Sequence, residues 1–215
     1  CKTHIGYGSP AKQDTNKAHG SPLGDEEIAR VREIYGWTDA PFVIPADLAQ
    51  QWQAIGARGE VERAEWMARM STLSTQRQAE FERVMAGAPP KRLSAVIKRF
   101  KQAVSEQAPK VATRKSSEMA LSVINPVTPE TLGGSADLTG SNNTLTPELG
   151  TFDSDNRKGR YVYYGIREHG MASAMNGMAL HGGIKPYGGT FMCFTDYARP
   201  AMRLSALMGI GVTYV

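Results

Sequence analysis

From Lys110 onward the chain alternates between extended and helical texture, and that alternation constrains the fold more than any other feature. A helical stretch "SSEMALSVI" leads to "TLGGSADLTGSNNT", a strand end that breaks into a Gly/Ser/Asn loop. Then come a strand in "GRYVYYG", a helix in "EHGMASAMNGMALHGG", a strand in "IKPYGGTFMCF", a helix in "DYARPAMRLSALM" and a strand start in "GVTYV". Strands separated by helices build a parallel, doubly wound sheet of the α/β class. Such sheets bind ligands outside the carboxyl ends of their strands. Asp137, Ser141, Glu168 and Phe194 fall at those ends, so they are the first candidates for a site.

The preceding half reads differently. Residues 6–24, "GYGSPAKQDTNKAHGSPLG", lack apolar periodicity and form a long loop. "DEEIARVREIYG" is a helix with acids in its first turn, Ile28, Val31 and Tyr35 on one face, and Gly36 as its stop. A second helix follows "VIPAD" and carries Leu48, Trp52 and Ile55. One long polar helix is expected from about Val61 to Met85, ending at "GAPP". Leu93, Val96, Ile97, Phe100 and Val104 mark another, closed by Ala108 and Pro109. These narrow apolar stripes describe a mainly helical linker that packs on something else. The opening "CKTHIGYG" reads as the last residues of a strand entering a Gly-rich turn, and the chain stops on a strand barely begun. The expectation is a fold incomplete at both ends.

Charge and composition exclude several classes. With 41% hydrophobic and 21% charged residues the chain is globular rather than disordered. Its net charge of +4 comes from 25 basic and 21 acidic residues, of which 15 and 13 precede position 108. That even spread gives no concentrated patch for nucleic acid. No run of about 18 apolar residues suits a membrane, and the expectation is a fold without a signal peptide. Cys1 and Cys193 make no metal-type pair and suit a reducing compartment, so the expectation is a cytoplasmic protein.

Several side chains carry two readings each. Glu168 can cap a helix, since acids are favoured in a first turn, or serve chemistry. Phe191, Phe194 and Tyr197 can be core or can wall a pocket for a flat ring. His19 can be a surface histidine, Arg114 a surface cation, Ser141 a turn residue and Asp137 a loop cap. Arg167 is read as pairing with a neighbouring acid, His169 as a packed or capping histidine, and His4 and His181 as structural.

The segments "IGYGSP", "HGSPLG", "TRKSS", "LGGSADLTGSN", "YYGIREHGM", "NGMALHGG" and "PYGGTFMCFTDYARPAMRLSALM" occur in an order and spacing that resemble the middle section of transketolases. The resemblance covers nearly the whole chain. It implies a thiamine diphosphate-binding fold divided into the end of the diphosphate-binding domain (residues 1–45), the helical linker (46–109) and the first part of the pyrimidine-binding domain (110–215). It also implies thiamine diphosphate as cofactor, with Glu168 hydrogen-bonded to the pyrimidine N1′, where a carboxyl favours the imino tautomer that takes the proton from thiazolium C2. His19 is then a second catalytic residue near the diphosphate and the reacting end of the sugar. Phe194, with Phe191 and Tyr197, holds the pyrimidine, and Asp137 lines that pocket or caps its loop. His19, Arg114 and Ser141 bind the sugar phosphate, the guanidinium through forked charge-assisted bonds.

The activity so implied is reversible transfer of a two-carbon ketol unit from a phosphorylated ketose to an aldose phosphate, as in the pentose phosphate pathway. Cofactors of this kind are anchored through Mg2+ or Ca2+ by a Gly-Asp-Gly loop and a later asparagine. The only Gly-Asp here, Gly24-Asp25, is followed by Glu26, so the metal ligands are expected outside this chain. The family's site lies between two subunits, implying a homodimer, to which the small-residue helix "GMASAMNGMALHGG" could contribute. The isolated chain is expected to be inactive. The alternatives are a related thiamine enzyme, such as dihydroxyacetone synthase or deoxyxylulose-phosphate synthase, or a non-catalytic transketolase-like subunit that completes a site in trans.

Overall fold

The structure is a computed structural model describing residues 1–215. The chain divides into two compact units, Cys1–Ser71 and Thr72–Val215, each described by itself.

The first unit contains α1 (Asp25–Tyr35), α2 (Ala46–Ala57) and α3 (Gly59–Ser71) after a loop with one 3-10 turn at Asn16–Ala18. Gly36 ends α1 in the left-handed region at φ 61°, donating to the Arg32 and Glu33 carbonyls. The loop is fastened by a residue of α1. Glu27 is buried, its carboxylate accepting from Ser9 Oγ at 2.5 Å and from the Ala11 amide at 2.8 Å. The Ser9 hydrogen bond, helped by that amide, holds the Glu27 carboxyl below the usual carboxylate range. The expected strand at the start of "CKTHIGYG" does not form. A strand exists only through its ladder, and this unit has none; the Asp14 amide instead bonds the Ile5 carbonyl and closes a turn. His4 reaches Asp14 at 2.9 Å in an exposed pair.

The second unit opens on α4 (Thr75–Met85), followed by α5 (Leu93–Gln107) and α6 (Thr113–Ile124). The single helix expected over residues 61–85 is therefore two. Ser74 takes an extended backbone and accepts from the Arg77 amide, so it acts as an N-cap that starts α4 afresh. After a 3-10 turn at Asn125–Val127 come β1 (Thr131–Ser135), the short α7 (Thr139–Asn142), β2 (Tyr161–Tyr163), α8 (Glu168–His181), β3 (Lys185–Gly188), α9 (Thr195–Leu207) and β4 (Thr213–Tyr214).

The four strands lie in the order β2-β1-β3-β4 and every pair is parallel, as the alternation required. Chain order reverses direction at β1/β3, which is the switch point where doubly wound sheets open a crevice. β3 is shorter than the apolar run around it. Its neighbour β1 ends at Ser135, whose last bridge is to Gly189, so beyond that point there is no ladder to join. Met192–Phe194 turns into a 3-10 helix instead.

Both faces of the sheet are covered. On one, Met171 and Met175 of α8 pack with Ala136, while Ala172 meets Ala198 and Ala201 of α9. On the other, Leu149, Tyr161 and Tyr187 form a buried cluster with Leu121 of α6 against it.

Candidate active site

The loops leaving three strands converge on one pocket of about 480 Å³, lined by Ala136, Asp137, Leu138, Ile166, Glu168, Phe194 and Tyr197. β1 delivers the first three, β2 the next two and β3 the last two. Four of the residues singled out in the sequence, Asp137, Glu168, Phe194 and Tyr197, thus meet at the carboxyl edge of the sheet around its switch point.

Glu168 is the first residue of α8 and is 8% exposed. It reaches this place through "YGIR": Gly165 turns the chain at φ 68°, a left-handed conformation glycine adopts without strain, and the Arg167 amide closes back on the Gly165 carbonyl at 2.8 Å. The helix N-terminus favours a carboxylate there. No protein group hydrogen-bonds that carboxylate or forms an ion pair with it. A buried acid facing a pocket without a partner is an acceptor waiting for a donor.

The walls are apolar and flat. Phe194 stacks on Phe191 with ring centroids 6.0 Å apart and an interplanar angle of 27°, and lies 6.1 Å from Tyr197 at 31°. Phe191 backs Phe194 from outside the lining, and Tyr197 stands at the mouth, largely exposed. Asp137, at φ 60°, contributes a second carboxylate to the pocket, and no cation lines it. A planar heteroaromatic ring with hydrogen-bond donors on its edge suits this arrangement. The aminopyrimidine of thiamine is such a ring, so the residues fit that half of the cofactor.

Other expected site residues are not in this lining. Ser141 is in α7, half-buried and outside the lining. Arg114 is the second residue of α6, exposed, with no acidic partner. His19, in the first unit, ends the 3-10 turn and is exposed. Two flanking expectations are corrected. Arg167 donates to the Tyr164 carbonyl at 3.0 Å rather than to an acid, because the turn brings its own backbone closer than any carboxylate. His169 is exposed, since the second residue of α8 points away from the packed face. His181 bonds the adjacent Gly182 carbonyl. Cys1 and Cys193 are free and exposed.

Sequence reasoning missed Ile166, Leu138 and Ala136. Ile166 carried a readable signal, an isoleucine two residues before Glu168 in a strand-to-helix turn, and the fold leaves it 79% exposed.

Comparison with known proteins finds similar sequences and folds. The family described as "Transketolase, pyrimidine binding domain" matches residues 109–215, and "Transketolase, thiamine diphosphate binding domain" matches residues 1–90. The chain is 62% identical over its whole length to a transketolase of Rhodobacter capsulatus and 44% identical, over 97% of its length, to transketolase 1 of Escherichia coli. It spans 32% of each of those relatives. Among solved structures, transketolase from Leishmania mexicana superposes with a TM-score of 0.83 at 35% identity, covering 99% of this chain and 32% of that one. A Pichia stipitis transketolase in complex with sedoheptulose-7-phosphate gives 0.82 at 34% identity, with the same coverage.

Proposed function

This chain belongs to the transketolase family, and from that premise we propose that it is the central part of a thiamine diphosphate-dependent transketolase, with residues 1–45 ending the diphosphate-binding domain, 46–109 forming a linker and 110–215 beginning the pyrimidine-binding domain. The enzyme moves a two-carbon ketol unit between a phosphorylated ketose and an aldose phosphate, as a cytoplasmic enzyme of the pentose phosphate pathway. The observation that carries this reading is the buried, unpartnered Glu168 carboxylate facing an aromatic-walled pocket at the switch point of a parallel sheet.

Thiamine diphosphate, when bound, supplies the carbanion centre and electron sink of ketol transfer. This chain's residues serve the pyrimidine half of the cofactor and the sugar. Phe194, backed by Phe191 and rimmed by Tyr197, clamps the pyrimidine and excludes water from its face. Glu168 holds the proton shared with N1′ and so sets the tautomer of the ring. Asp137 would line the pocket beside the ring. Arg114 and Ser141 bind the phosphate of the sugar, and the role given to His19 is sugar binding and proton transfer at the reacting end. The diphosphate and its Mg2+ or Ca2+ are held by residues beyond this chain.

Support for a homodimer with the site at the subunit interface comes from α8. Gly170, Ser173, Gly177 and Leu180 line an exposed face of that helix, free of the packing that buries Met171, Ala172 and Met175.

The test is Glu168→Ala and Glu168→Gln in the full-length protein with thiamine diphosphate and a divalent metal. General acid–base assistance of this kind contributes roughly 100-fold to 10,000-fold, so kcat should fall by at least about 100-fold while the protein still folds. Unchanged ketol transfer would refute the role given to Glu168.

A further inference from the structure

The short helix that carries Ser141 cannot hold itself. α7 has four residues, far fewer than a helix needs to persist alone in water. Its geometry must come from outside, and one side chain grips it at both ends. The hydroxyl of Tyr161 is 2.9 Å from Thr139 Oγ1, on the first residue of α7, and 2.6 Å from Thr144 Oγ1, two residues past its last.

Tyr161 is a rigid anchor for that grip. It begins β2, in register with Gly133 of β1, and is fully buried among Leu149 and Tyr187. Thr144 is pinned a second time, its carbonyl accepting from the Tyr187 hydroxyl at 2.7 Å, and that hydroxyl in turn accepts from Asn125 at 3.1 Å. On the inner side, Ser135 Oγ accepts from the Leu138 amide and donates to the Gly189 carbonyl at 3.0 Å. The turn 139–144 is thus fixed to β2 and β3 through phenol hydroxyls, with Ser141 between the two grips.

We propose that Tyr161 is a positioning residue for recognition of the sugar's phosphate end: by clamping Thr139 and Thr144 it sets where Ser141 stands. This rests on the reading of Ser141 as a phosphate-binding residue. Tyr161 touches neither substrate nor cofactor. Its removal should therefore weaken recognition of the phosphate while leaving catalysis on bound sugar intact.

The experiment uses the full-length protein and the variants Tyr161→Phe, Thr139→Val, Thr139→Ser and Ser141→Ala. Two readouts are taken: calorimetric Kd of a ketose phosphate on the cofactor-free protein, and KM and kcat for that ketose with and without its phosphate on the loaded enzyme. Losing one such hydrogen bond should raise Kd and KM for the phosphorylated sugar by about threefold to tenfold. For Tyr161→Phe and Thr139→Val the kcat, and all constants for the unphosphorylated sugar, should stay at wild-type values. Thr139→Ser, which keeps the hydroxyl, should restore phosphate recognition that Thr139→Val loses. If Ser141→Ala raises both constants but Tyr161→Phe and Thr139→Val do not, the clamp is only structural and the proposal falls while the reading of Ser141 stands. If Ser141→Ala itself changes nothing, that reading falls and takes the proposal with it. Should Tyr161→Phe fail to fold, the Thr139 pair alone decides, by the same criteria.

Discussion

A methyl group at Gly133 would occupy the place of the Tyr187 ring, and one at Gly134 would meet the Tyr164 ring and the Val162 carbonyl. The paired glycines of "LGGSADL" therefore have a packing reason: they let Tyr187 of β3 and Tyr164, just past β2, lie against β1. The Tyr187 ring cannot swing aside, because its hydroxyl is bonded to the Thr144 carbonyl inside the core. Gly133→Ala should cost about 1–3 kcal/mol of stability by overpacking, read from urea unfolding. Gly20→Ala, at a position with nothing within 4 Å, is the control and should stay within about 0.5 kcal/mol of wild type. The sequence offered Gly133 and Gly134 only as a motif. Which ring each glycine admits depends on the register of β2 and β3 against β1, and no local rule supplies that.

Among elements, α4 is tied to the sheet by one charged pair. Arg83 of α4 donates to both carboxylate oxygens of Glu130, at 2.9 and 3.2 Å, and also to Glu80 and the Ala88 carbonyl. The hydrogen bonds it donates to Glu80 and Glu130 push the Arg83 pKa further up, so it is charged at every accessible pH. The Glu130 side chain is only 2% exposed and sits just before β1. Arg83→Met, which strands that carboxylate, should destabilise the protein by about 3–5 kcal/mol, and adding Glu130→Gln should recover much of the loss. A double-mutant cycle by chemical denaturation measures it; additive losses would show that the two side chains do not act together. In the sequence this contact was invisible. Its partners are 47 residues apart, and Arg83 sat on the polar face of what read as one continuous helix. The Ser74 cap that splits that helix was legible in principle, a serine ahead of a fresh helical run. The continuous polar texture of residues 61–85 masked that local signal.

For the molecule as a whole, alkaline stability should report the buried tyrosines. Burial pushes the phenols of Tyr164 and Tyr187 up to about 12. Unfolded, they titrate near 10. The unfolded chain then loses its protons first, so the stability these phenols contribute is complete below pH 10 and is lost as pH climbs from about 10 to about 12. Thermal melts should fall steeply across that window, and Tyr164→Phe should flatten the fall; an identical profile would show that Tyr164 does not contribute. The same scale separates what sequence and structure each decided. By itself the sequence determined the α/β class, the parallel sheet and the family, because strand and helix periodicities and motif order are local and survive without coordinates. It also placed Asp137, Glu168 and Phe194 at strand ends. Only the tertiary structure decided that they meet in one pocket with Tyr197 and Ile166, that Ser141 stands apart from it, and that Tyr161 holds the Ser141 turn. The physical reason is strand order: β2-β1-β3-β4 is set by which edges pair and which faces bury, and those choices belong to the folded chain rather than to any segment of it.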